Sequence, residues 1–127
     1  MGESEGTVQT VDFSAAARIR QEEAKELLER GEAVFVDLRP AYAYEQFHLP
    51  GAVRRDLREV VKHAASVPPE KTIIYYCDCP NEETSARAVQ LVTKRLPVKA
   101  AALVGTVEEW LERGYPFERG QPVGTPA

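Results

Sequence analysis

Long apolar runs are missing from this 127-residue chain. No stretch approaches the roughly 20 residues that a membrane-spanning helix requires, so no membrane role is expected. Cysteine is scarce. Only Cys77 and Cys79 occur, too few and too close for the disulfide framework of a secreted domain. A ring closed between them would be small and strained, hence redox-labile rather than structural. Reduced thiols fit a cytoplasmic setting. The opening residues Met1-Gly2-Glu3-Ser4-Glu5-Gly6 agree, being acidic and polar where a secretory signal is basic and then apolar. Positive charge is also short, with 16 Lys and Arg against 20 Asp and Glu for a net −4. That balance invites neither nucleic acid nor an anionic membrane surface. Arg54, Arg55 and Arg58 come nearest to a basic cluster and read as a solvated face.

What remains is an ordinary globular composition, 43% hydrophobic and 28% charged, in a chain long enough to bury a core without staples. There are no internal repeats and no low-complexity stretch. Residues 1–127 read as one domain, with a core over about 17–118 and loose termini, the last Gly/Pro-rich from Gly120 to Ala127.

Between the termini, strand and helix patterns alternate. Ala17-Arg18-Ile19 is a short strand candidate. Gln21 to Arg30 has helical spacing, with Ala24, Leu27 and Leu28 on one face and Gly31 as the stop. Ala33 to Asp37 is a nearly unbroken apolar run, as expected of a strand buried on both faces. Pro40 to Phe47 suits a short helix, and Pro50-Gly51 sits at the centre of a type II turn. Asp56 to about Ala65 suits another helix, ended by Pro68-Pro69. Thr72 to Cys77 is the strongest strand. Thr84 to Leu96 is amphipathic through Ser85, Val89, Val92 and Leu96. Val98 to Val104 is a strand, and Thr106 and Glu109 have the spacing of a capping box ahead of Val107, Trp110 and Leu111. Apolar strands alternating with amphipathic helices imply an α/β fold: a mostly parallel sheet covered on both sides.

In such sheets, sites gather where the carboxyl ends of strands meet helix N-termini. The loop Cys77-Asp78-Cys79-Pro80-Asn81-Glu82-Glu83 lies there. Backbone N–H groups of a loop and first helical turn form a nest for anions, and the same field stabilises a thiolate, the reactive form of cysteine. A thiolate so placed can take a sulfane sulfur, hold it as a persulfide and pass it on. Asp37 and Arg39 flank a neighbouring strand end, either steadying the loop or simply pairing across their own turn. His48 reads as a turn-packing histidine, and Trp110 and Tyr115 as core and edge aromatics. A zinc site from Cys77, Cys79, His48 and His63 has weak support, since a C-x-C pair lacks its second pair. A cysteine phosphatase needs cysteine, five residues and then arginine. That count reaches Glu83 from Cys77 and Ser85 from Cys79, which speaks against phosphatase activity.

From about Arg18 to Phe117 the sequence resembles the rhodanese-like family. The pieces are Ile19-Arg20-Gln21-Glu22-Glu23-Ala24, then Val36-Asp37-Leu38-Arg39-Pro40 with Tyr44 and His48-Leu49-Pro50-Gly51-Ala52. Ile74-Tyr75-Tyr76-Cys77, Ser85-Ala86 and Leu103-Val104-Gly105 with Trp110 and Gly114-Tyr115-Pro116 follow in family order. The resemblance implies a five-stranded, mostly parallel sheet with helices on both faces. It also implies a sulfurtransferase working through a cysteine persulfide, without cofactor or metal. The partner would be a small sulfur donor or acceptor, or a persulfide-carrying protein. Strand context favours Cys77 as the nucleophile, whereas the family's five-residue gap to serine is kept from Cys79 to Ser85. The loop is two residues long by comparison and lacks a positive charge. Its Asp78, Glu82 and Glu83 are expected to oppose an anionic donor such as thiosulfate. Cys77, Cys79, Asp78, Pro80, Asn81, Glu82, Glu83, Asp37 and Arg39 are therefore the candidate site residues. The alternatives are a non-catalytic interaction module and a thiol redox sensor using Cys77 and Cys79.

Overall fold

A computed structural model describes residues 16–120; the reading of residues 1–6 and 121–127 as loose ends lies outside them. Five strands make one sheet: β1 (Arg18–Ile19), β2 (Ala33–Asp37), β3 (Val53–Arg54), β4 (Thr72–Tyr76) and β5 (Lys99–Leu103). Their order is β1-β5-β4-β2-β3, and every pairing in the sheet is parallel. The helices are α1 (Gln21–Glu29), α2 (Ala41–Gln46), α3 (Val60–Ala65), α4 (Glu83–Arg95) and α5 (Val107–Glu112).

The apolar strands are unbroken because both faces are covered, and side chains alternate between them. Val36, Ile73, Tyr75 and Ala102 pack with Val60 and Ala64 of α3 and with Ala88, Val89 and Val92 of α4. Their sequence neighbours Phe35, Ile74, Tyr76 and Leu103 pack on the other side, against Ala24 of α1, Tyr44 of α2, and Val107 and Trp110 of α5. Trp110 is fully buried, with its indole N–H donated to the Pro116 carbonyl at 2.7 Å.

Turn chemistry matches the local sequence. Ala52 N–H bonds the Leu49 carbonyl at 3.0 Å, and Gly51 between them has φ +72°, as the third position of a type II turn requires. At α5, Glu109 N–H donates to Thr106 Oγ1 at 3.2 Å, and Thr106 N–H donates to Glu109 Oε1 at 3.0 Å. Thr106→Ala frees one orphan donor of that helix and is expected to lower stability by about 1 kcal/mol in urea unfolding.

Two elements depart from the sequence expectation. Strand β3 was not among the four strands read from hydrophobic pattern, since two edge residues ending in arginine carry no periodicity. The helix expected from Asp56 opens instead as a 3₁₀ turn over Leu57–Glu59. Its cap is a reciprocal one, with Asp56 N–H donating to Glu59 Oε1 at 2.8 Å, and α3 proper starts at Val60.

Candidate active site

The connection from β2 through α2 leads outward to β3, while that from β4 through α4 leads the opposite way to β5. The chain therefore reverses direction between β2 and β4, and in open sheets of this kind ligands bind at the carboxyl ends of such a pair. Two segments lie there: Asp37-Leu38-Arg39 after β2 and Cys77-Asp78-Cys79 after β4. Leu38 N–H bonds the Tyr76 carbonyl at 3.0 Å, locking the two strand ends together.

Cys77 is 3% exposed. Its Sγ lies 3.4 Å from Ser85 Oγ, and Ser85 Oγ donates to the Glu82 carbonyl at 3.2 Å. The backbone N–H groups of Cys79 and Ser85 also bear on the Cys77 sulfur. Cys79 is half-buried, with Sγ 2.9 Å from Thr84 Oγ1. Both thiols are free. Burial pushes the Cys77 thiol up, while the Ser85 hydroxyl and the backbone N–H groups pull it down; burial prevails.

The intervening loop is bent sharply. Pro80–Glu82 form a single 3₁₀ turn in which Asn81 and Glu82 take φ of 56° and 53°, the left-handed region that side chains other than glycine enter at a cost. Pro80, Asn81, Asp78 and Glu83 are exposed. Glu82 is turned away from solvent, with its Oε1 receiving Arg18 Nε–H at 2.9 Å and its Oε2 receiving Gly105 N–H at 3.2 Å. The three acids of the loop are therefore not equivalent. Glu82 has its charge met by Arg18, Asp78 Oδ2 lies 3.8 Å from Arg39 Nη1, and Glu83 opens α4 on the exposed side, where an acid suits the first turn.

Asp37 and Arg39 form a buried pair, with side chains 0% and 3% exposed. Arg39 Nε reaches both carboxylate oxygens at 3.1 Å, Nη2 reaches Oδ2 at 2.8 Å, and the Arg39 N–H reaches Oδ1 at 2.7 Å. Nη2 also donates to the Phe47 carbonyl at 2.6 Å, and the guanidinium lies over the Tyr76 and Phe47 rings. Burial opposes the Arg39 charge, but Asp37 more than restores it. The pair ties its own turn together beneath the cysteine loop.

His48 packs as expected, buried and stacked 3.8 Å from the Tyr44 ring, with Nδ1 2.7 Å from the Tyr44 carbonyl. Among the described residues, no three His, Cys, Asp or Glu side chains gather where a metal ion could sit, and no helix is long and apolar enough to cross a membrane. Arg18, Thr84 and Gly105 entered no sequence-based site, and Ser85 was marked there only by its inward helical position and its place in the family pattern. Ser85 could have been found from its distance along the helix. Arg18 could not, because 64 residues separate it from Glu82.

Known proteins resemble this chain in sequence and fold. Part of the chain is 30% identical over 102 residues to an HTH-type transcriptional regulator of Mycobacterium tuberculosis, covering 76% of this chain and 42% of that protein. A shorter stretch of 45 residues is 42% identical to a tRNA sulfurtransferase of Pyrobaculum aerophilum, covering 35% of this chain and 9% of that one. The chain thus spans less than half the length of either curated relative. Among solved structures, a thiosulfate sulfurtransferase from Pseudomonas aeruginosa superposes with a TM-score of 0.73 at 25% identity, over 90% of this chain and 22% of that one. The rhodanese-like domain of an Anabaena sp. protein gives 0.67 at 25% identity, over 87% and 84%. The sequence model of the rhodanese-like domain matches residues 20–113, from the start of α1 to the end of α5 and across the whole cysteine loop. On this match, and with its parallel sheet, the chain belongs to the rhodanese-like domain family.

Proposed function

We propose that this chain is a sulfurtransferase that carries sulfane sulfur as a persulfide on Cys77. The observation that carries this reading is the setting of the Cys77 sulfur. It ends a buried strand at the sheet's switch point, beside the Ser85 hydroxyl and the N–H groups of Cys79 and Ser85. The N–H groups, joined by the Ser85 hydroxyl once it turns from the Glu82 carbonyl to the ionised sulfur, stabilise negative charge on sulfur, both in the attacking thiolate and in the persulfide it becomes. With thiosulfate, Cys77–S⁻ attacks the outer sulfur, a new S–S bond forms, and sulfite leaves with the electron pair of the broken one. An acceptor thiolate then takes the outer sulfur and returns Cys77–S⁻. The similarity to proteins described as a thiosulfate sulfurtransferase and a tRNA sulfurtransferase supports the same class of chemistry. The donor and acceptor are a small sulfur compound or a persulfide-carrying protein, and the chemistry asks for no cofactor.

Intact-mass measurement after incubation with a sulfane-sulfur donor tests the reading. A gain of one sulfur per chain, removed by cyanide as thiocyanate, is the expected result. An unchanged mass with thiosulfate and with persulfide donors alike would leave a non-catalytic module. The pH dependence follows from burial of the thiol. Loading requires the thiolate, and the Cys77 thiol is pushed above its ordinary value. Initial loading rates should therefore still be climbing at about pH 8.5, where an unperturbed cysteine is half ionised. A plateau reached near neutrality would show a thiolate already formed and contradict the dominance of burial.

A further inference from the structure

The Cys77–Glu83 loop contains three carboxylates and no lysine or arginine, yet it is gripped by one. Arg18, on edge strand β1, sends Nε to Glu82 Oε1 at 2.9 Å and Nη2 to the Asn81 carbonyl at 3.1 Å. Its Nη1 holds the Ala16 carbonyl at 3.1 Å, which fixes the guanidinium from behind. The other Glu82 oxygen accepts Gly105 N–H at the end of β5. Gly105 has φ +84°, and a Cβ at that position would run into the Glu109 carboxylate, so the approach is built for glycine. The two residues that Arg18 engages, Asn81 and Glu82, are the two in left-handed backbone. Asn enters that region more readily than most residues, whereas Glu82 needs help from its surroundings to stay there. From Glu82 the contacts continue inward, since its carbonyl accepts from Ser85 Oγ, which lies 3.4 Å from Cys77 Sγ.

We propose that Arg18 is a positioning residue for sulfur transfer. It supplies the positive charge that the loop lacks, cancels the Glu82 carboxylate within the cysteine loop, and holds the loop in the bend that presents its N–H groups to Cys77. This rests on the persulfide reading above. The arginine and the carboxylate are both partly buried, 25% and 17% exposed, so solvent screens the pair less than a surface one. Removing Arg18 leaves Glu82 as an uncompensated negative charge in the loop that carries the reactive sulfur. Removing the Glu82 charge as well takes that repulsion away.

Initial rates of persulfide formation from thiosulfate test the charge role, and amide exchange at Gly105, followed by NMR, tests the contact without any sulfur chemistry. Arg18→Ala is expected to slow loading about tenfold, an effect that corresponds to roughly 1.4 kcal/mol. Added salt at about 0.5 M should recover part of the loss relative to the unaltered protein. The double variant Arg18→Ala/Glu82→Gln should load about threefold faster than Arg18→Ala, because its repulsive charge is gone, yet stay below the unaltered protein, because nothing holds the Asn81 carbonyl. Gly105 exchange should quicken in Arg18→Ala. An Arg18→Ala protein that loads at the normal rate overturns the proposal, and so does a double variant no better than the single one, since a purely structural arginine is not rescued by neutralising its partner. If the unaltered protein takes sulfur from no donor while Gly105 exchange still quickens in Arg18→Ala, the persulfide reading fails and the positioning role falls with it, although the contact itself stands.

Discussion

Cys77→Ser is expected to abolish sulfur uptake, and Cys79→Ser to leave most of it. A serine hydroxyl forms no persulfide, so the expected loss is complete at position 77 rather than graded. The substitution is a mild one for the fold. Serine is slightly smaller than cysteine, and at this buried position its hydroxyl can donate to Ser85 Oγ as the thiol does at 3.4 Å. Cys79 sits beside the sulfur's approach with its own thiol against Thr84, and its backbone N–H, which serves Cys77, survives replacement of the side chain. Loading each variant with donor, followed by cyanolysis and intact mass, separates the two cysteines. Full loading of Cys77→Ser would move the nucleophile to Cys79 and make the six-residue step from Cys79 to Ser85 the functional one.

The second large effect concerns stability. Arg39→Ala or Asp37→Ala is expected to cost about 3–5 kcal/mol, because each leaves the other's charge buried without its partner. That is a large share of the roughly 5–15 kcal/mol by which a domain of this kind is stable. Arg39 carries more than the pair, since it also holds the Phe47 carbonyl at 2.6 Å and covers the Tyr76 ring. The double variant Asp37→Leu/Arg39→Leu should recover part of the loss, as a buried ion pair and an apolar pair of similar volume come out nearly equal. Urea unfolding of Asp37→Leu, Arg39→Leu and the double leucine variant closes the cycle. Single losses below about 1 kcal/mol would show that water reaches the pair and that the turn does not depend on it.

The sequence by itself determined the elements whose cause is local. The apolar runs Ala33 to Asp37 and Thr72 to Cys77 declared strands buried on both faces, because in a covered parallel sheet neither alternate set of side chains meets water. Pro50-Gly51 declared its turn and Thr106 with Glu109 its cap, since each rests on backbone chemistry spanning at most four residues. Strand and helix pattern placed the cysteine loop at a strand end, and charge and composition spoke against nucleic-acid and membrane partners. Tertiary structure decided the rest. It made a fifth strand of Val53–Arg54 through pairing with β2, which two residues cannot signal by pattern. It buried Asp37 and Arg39 against each other and brought Arg39 within 3.8 Å of Asp78 in the loop. It also separated three acids that look alike in sequence, turning Glu82 to Arg18 and Gly105 while Asp78 and Glu83 stay exposed. The reason is one of range. A capping or turn preference acts between neighbours along the chain, whereas a charge is tuned by whatever the fold brings within a few ångströms. For Glu82 that neighbour is 64 residues away.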